Sequence, residues 1–139
     1  MNDFFGLIYE LGGLFYIDNF SEDLFDNNLY LPVGLTLFIS GLVFMAAYYY
    51  LVNHPRFNRW YHWLFYIALV GIINFLVAYF ITKNNLTIIY ENEGNTLPYY
   101  GQFYTFSLIN FIYTLLWCTV VSFIIRWGSR NCSTTPFPN

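Results

Sequence analysis

The side chains best placed to do chemistry inside this chain recur at three- and four-residue spacing in its last apolar stretch: Ser107, Asn110, Thr114, Cys118 and Ser122. That spacing puts all five on one face of a helix. Hydroxyl, amide and thiol groups in such a stripe can line a water-filled path, or they can hydrogen-bond between tightly packed helices. A second stripe, Ala68, Gly71, Asn74 and Ala78, lies in the preceding apolar stretch. In the first stretch Gly34 and Gly41 stand seven apart, with Ser40 and Ala47 beside the same face. Small residues let lipid-embedded helices approach closely, and polar contacts between them contribute roughly 0.6–2 kcal/mol each. Helix–helix packing is therefore the expected use of these faces, with a pore lining as the rival.

Catalysis asks for a different set. His54 and His62 lie near one end of the apolar stretches and the carboxylates at the other, so no serine has a histidine and an acid at matching depth. Haem would need histidines directed into a bundle. Cys118 and Cys132 are far apart in context, and no C-x-x-C spacing is present. A charge buried in the membrane would mark a functional site, but the apolar stretches hold no Asp, Glu, Lys or Arg before Arg126 at the end of the third. No catalytic residue, cofactor, metal ligand or small-molecule substrate is expected. Five scattered cations also make no basic patch for nucleic acid.

The elements that must position these residues follow from composition. Hydrophobic residues make up 58% of the chain and charged residues 9%, against roughly 25% charged in a soluble domain. The apolar residues gather in three blocks, 30–52, 60–82 and 102–127. Each is long enough, at 1.5 Å per residue, to cross a hydrocarbon core of about 30 Å as a helix. Helices are required because an unpaired backbone amide in lipid is strongly unfavourable and three strands cannot close a barrel. Tyr48, Tyr49, Tyr50, Trp60, Tyr61, His62 and Trp63 crowd one boundary, where aromatic rings settle at headgroup depth. The short connection "NHPRFNR" makes the first two spans a hairpin, with Pro55 helping to end the first.

Charge sets the expected orientation. Arg56, Arg59, Arg126 and Arg130 fall on one side of the three spans, while Lys83 and all eight acidic residues fall on the other. Arginine and lysine in short loops stay in the cytoplasm, so the amino terminus is expected outside and the carboxyl terminus inside. Asn74 comes eight residues before the outer end of its span and Asn110 eight after the outer start of the next. The two amides should therefore share a level and hydrogen-bond, either to each other or to counterparts in a neighbouring subunit.

Outside the spans, residues 1–29 lack the basic start of a signal peptide and are expected to stay on the mature protein. Phe4, Ile8, Leu11 and Phe15 recur at helical spacing there, which reads as an interfacial amphipathic helix, although Gly6, Gly12 and Gly13 weaken it. An acidic linker, "DNFSEDLFDNN", follows. In the second loop "LTIIY" and "ENEGN" read as a short β-hairpin, and residues 128–139 read as a cytoplasmic tail.

The expectation is an all-α membrane protein with three transmembrane helices, amino terminus out and carboxyl terminus in, preceded by an interfacial amphipathic segment. Its expected role is non-enzymatic: an anchor or scaffold subunit of a larger envelope assembly, such as a secretion or injection machine, in a bacterial inner membrane. Its expected partners are the lipid bilayer and either further copies of itself or other membrane subunits. The first alternative is an oligomeric pore or small channel, whose topology resembles that of a phage holin in span number and orientation only. An accessory subunit of a membrane enzyme or transporter is the second.

Overall fold

The computed structural model describes residues 1–11, 15–52, 54, 56 and 59–129, and every regular element among them is a helix. Two short helices, α1 (Asn2–Glu10) and α2 (Asp18–Asp26), precede three long ones. The first long helix, α3 (Tyr30–Ala46), runs on as a π-helical segment, Ala47–Val52. Then come α4 (Trp60–Asn92) and α5 (Gln102–Ile125), the latter ending in a 3₁₀ turn, Arg126–Gly128. Three of these helical runs, of 23, 33 and 27 residues, are long and apolar enough to cross a membrane.

The long helices pack against one another pairwise, α4 with α5 most extensively. Their buried faces are those with small and polar residues, and their outward faces are apolar. Within 33–52, 62–82 and 106–125 every exposed residue is hydrophobic, from Ile39 and Leu42 through Phe65 and Ile72 to Leu116 and Ile124. Water would be a poor solvent for such a surface, whereas hydrocarbon suits it. Three helices of this length and composition suggest an integral membrane protein.

The second loop does not form a hairpin. Residues 83–92 continue α4, and Leu86 is wholly buried while Ile89 and Tyr90 pack on the core. The turn-like "ENEGN" instead closes a helix. Gly94 adopts φ +72°, its N–H donates to Glu91 O (3.1 Å), and the Asn95 N–H donates to Tyr90 O (2.9 Å). This is a Schellman cap, for which a left-handed glycine is the usual residue. β-Branched residues in "LTIIY" are overruled because the span already supplies a helix to extend and the core supplies a face to bury.

The acidic linker is likewise helical. At its start the Ile17 N–H donates to Ser21 Oγ (2.8 Å). Its end is a second Schellman cap, with Asn28 at φ +55° and the Leu29 N–H donating to Leu24 O (2.9 Å). Leu24 and Leu29 are both buried in the same cluster, the apolar contact that accompanies this cap. Phe20 and Leu24 bury the inner face of α2 against Tyr99, Phe103 and Phe106.

The first helix ends one residue before Leu11, which takes φ +42°. Its protein-facing side is Asn2, Phe5, Gly6 and Tyr9, next to the apolar line that the spacing assigns to the interface. Phe4 (60% exposed) and Leu11 and Phe15 face outward, and Ile8 is half-buried. Tyr9 stacks on Tyr30 (ring centroids 5.6 Å apart), and the Phe5 ring lies so close over Gly34 that a Cβ there would strike it. Gly34 thus opens α3 to α1, not to another long helix. Gly12, Gly13, Pro55, Arg130 and the tail after it lie outside the described residues.

The aromatic boundary also divides in two. Tyr50, Trp60 and Tyr61 are exposed, but Tyr48, Tyr49 and Trp63 belong to a core cluster with Met45, Ile67 and Val70. The wider winding of the π-helical segment lets the consecutive Tyr48 and Tyr49 both turn inward.

Candidate functional site

The polar side chains of the three spans meet along one internal seam. Asn110, 1% exposed, sits at its centre and uses both ends of its amide. Its Nδ2 donates to the backbone carbonyl of Asn74 (2.9 Å), and its Oδ1 accepts from the Tyr9 hydroxyl. The Asn74 Nδ2 turns the other way, to Ser40 Oγ (2.9 Å) and Val70 O (3.1 Å). One chain of hydrogen bonds therefore joins α1, α5, α4 and α3. The two asparagines do share a level, but the bond runs from one side chain to the other's backbone, because Ser40 already holds the Asn74 amide.

The remaining stripe residues bond locally. Ser107, Thr114 and Ser122 each donate to the carbonyl four residues back, at 2.7, 2.8 and 2.7 Å. Thr82 does the same to Ala78 O (2.7 Å). Ser122 Oγ also accepts from Trp63 Nε1 (3.0 Å), which ties α5 to α4 near the arginine end. Cys118 is buried and free beside Gly41. A Cβ on Gly71 would come within 2.7 Å of the Phe111 ring, so this glycine is where α4 and α5 approach. Ala78 is wholly buried on the same side of α4. The seam is filled by the chain's own helices, and no polar stripe remains on the outward face of α5.

Trp117 and the tyrosines add cross-links that the spacing of small residues does not announce. Trp117 Nε1 donates to Phe38 O (3.1 Å), Tyr66 to Phe44 O (2.9 Å), Tyr113 to Ile8 O (2.7 Å) and Tyr50 to Ile125 O (3.1 Å). Each ring spans an interhelical gap that is apolar along its length and ends on a carbonyl. Their signal in the sequence was only an unusual number of tyrosines.

Outside the spans the two ends differ in charge. At the acidic end Asp23 accepts from the hydroxyls of Tyr90 (2.6 Å) and Tyr99 (2.5 Å), Glu10 from Tyr30 (3.1 Å) and Glu22 from Tyr16 (2.8 Å). The hydrogen bond to Glu22 pushes the Tyr16 phenol up to about 12. Burial, then Asp23, raises Tyr99 as well. At the other end stand Arg56, Arg59 and Arg126. Among the described residues, no group of three His, Cys, Asp or Glu side chains is arranged to hold a metal ion.

Comparison with protein-family models, with curated proteins and with solved structures gives no match.

Proposed function

We propose that the chain is a non-enzymatic membrane anchor or scaffold subunit, which crosses the bilayer three times and presents charged surfaces of opposite sign on its two sides. The observation that carries this reading is the seam itself. Asn74, Asn110, Ser107, Thr114 and Ser122 all satisfy their hydrogen bonds within the chain, and the outward faces of the spans are hydrophobic. Chemistry or conduction in the membrane interior is usually carried by ionisable side chains that face the bundle interior or a water-filled path, and this seam is built from neutral amides and hydroxyls. What is left for recognition lies at the ends: eight acids with Lys83 at one, and Arg56, Arg59, Arg126 and Arg130 at the other.

By the positive-inside rule the arginine end faces the cytoplasm and both termini take the sides expected from charge. A bacterial inner membrane fits this scheme. The partners we propose are other membrane subunits or further copies of this chain.

Gentle extraction of the native complex followed by native mass spectrometry tests the reading. Co-purifying chains in fixed stoichiometry are expected. If they prove to be a membrane enzyme or transporter, the accessory-subunit role replaces the scaffold. Recovery without partners, together with planar-bilayer currents abolished by Asn110→Leu, would overturn it in favour of a pore.

A further inference from the structure

The arginine end carries positive charge that no acidic side chain neutralises. The sequence has no Asp or Glu between Asp26 and Glu91, nor after Glu93. Lipid phosphate is the abundant anion at the edge of a bilayer, so the geometry of these arginines is informative.

The Trp63–Ser122 hydrogen bond sets α4 against α5 at this end. Arg59 precedes Trp63 by four residues, and its carbonyl accepts the Trp63 N–H (3.3 Å), so it stands one turn beyond that bond. Arg126 follows Ser122 by four and stands one turn beyond on the partner helix. The two residues therefore stand at one level, each one turn beyond the Trp63–Ser122 bond on adjacent helices. Arg126 Cζ lies 5.3 Å from the centre of the Phe123 ring and 5.1 Å from that of Trp127, and Arg59 Cζ lies 5.9 Å from that of Tyr61. Aromatic faces hold a cation in place without using up its N–H donors. Arg126 Nε is enclosed and has no hydrogen-bond partner among the described residues. Beside these groups Trp60 and Trp127 are exposed, as rings at headgroup depth are.

We propose that Arg59 and Arg126 form a binding site for the phosphate of an anionic phospholipid, with Trp60 and Trp127 flanking its headgroup. The forked donors of arginine match phosphate oxygens. A zwitterionic lipid would bring a second, cationic group to an end of the protein that offers it no acidic side chain, so the site selects lipids of net negative charge. The inference rests on the membrane placement of the three spans, and it is independent of whether the chain is a scaffold or a pore.

The test uses the full chain in nanodiscs of equal phosphatidylglycerol and phosphatidylcholine, with retained lipids counted by native mass spectrometry. Retained phosphatidylglycerol should exceed phosphatidylcholine. Arg59→Gln and Arg126→Gln should each lower that enrichment about fivefold, the weight of one arginine near an anionic surface, and Lys83→Gln should leave it unchanged. Brominated phosphatidylglycerol should also quench tryptophan fluorescence of the unaltered protein more than brominated phosphatidylcholine does, a measurement that needs no variant. Equal retention of the two lipids, or an enrichment indifferent to both arginines, overturns the site while leaving the membrane reading intact. Arginine-dependent binding of inorganic phosphate in phosphatidylcholine nanodiscs overturns the lipid as ligand and assigns a small-anion site. Failure to enter nanodiscs at all would sink the three-span reading and this inference with it.

Discussion

At the acidic end the carboxylates of Glu10, Glu22 and Asp23 are met by tyrosine hydroxyls from α3, α4 and the connecting segments, and α2 folds down over the helix ends. At the arginine end the guanidinium groups lie over rings and meet no carboxylate. The difference teaches how a chain with 14 tyrosines and five cations can give its acids hydrogen-bond partners that carry no charge. A phenol donates a hydrogen bond while carrying no charge, so it satisfies a carboxylate and adds its ring to the core. At the acidic end three of the eight carboxylates are met by the chain's own phenols, and at the arginine end the cations are left to an outside anion.

The comparison can be broken from the inside out. Asn110→Leu leaves the Tyr9 hydroxyl and the Asn74 carbonyl without their partner, and should destabilise the protein by about 2–3 kcal/mol in detergent unfolding. Gly34→Val drives a side chain into Phe5 and should cost about 1–3 kcal/mol. Hydrogen exchange should then rise across residues 2–10 and leave the α4–α5 seam protected. Asp23→Ala removes the acceptor of two tyrosines and should cost about 1 kcal/mol, read as faster exchange in α2 alone. Arg59→Gln should change stability by less than about 0.5 kcal/mol, because that end does not hold the fold together. A large loss there would erase the contrast between the two ends.

Alkaline pH sharpens the same contrast. The Tyr99 phenol is raised in the folded protein, so its contribution is complete below the ordinary tyrosine value near 10 and is lost as pH climbs through the higher folded value. Tyrosinate absorbance and α2 exchange, followed together, should show α2 loosening at high pH while residues 60–70 stay protected. Simultaneous loss of both regions would contradict the assignment.

The spans were legible because each is a long run without charge, and hydrocarbon tolerates nothing else. The buried stripe of α5 was legible for the same kind of reason, since spacing alone places Ser107 to Ser122 on one face. Its partners were not. Spacing and depth pair Asn110 with Asn74, but they give no sign that Ser40 would take the Asn74 amide or that Tyr9, a hundred residues away, would complete the site. The hairpin reading of 86–95 failed because Gly94 serves a turn and a helix cap equally well, and only Leu86 and Ile89 meeting the core decide between them. For α1 the outward apolar line was legible from spacing but the second, protein-facing line was not, because Phe4 and Phe5 look alike until Gly34 offers room for one of them.

The ten residues by which α4 outruns Thr82 set a height. At 1.5 Å per residue they raise its tip about 15 Å above that point, and the Tyr90–Asp23 bond fastens α2 near the top. The negative surface of α2 is thereby carried on a stiff pedestal, so that its distance from Thr82 is fixed by helix rise and not by the slack of a loop.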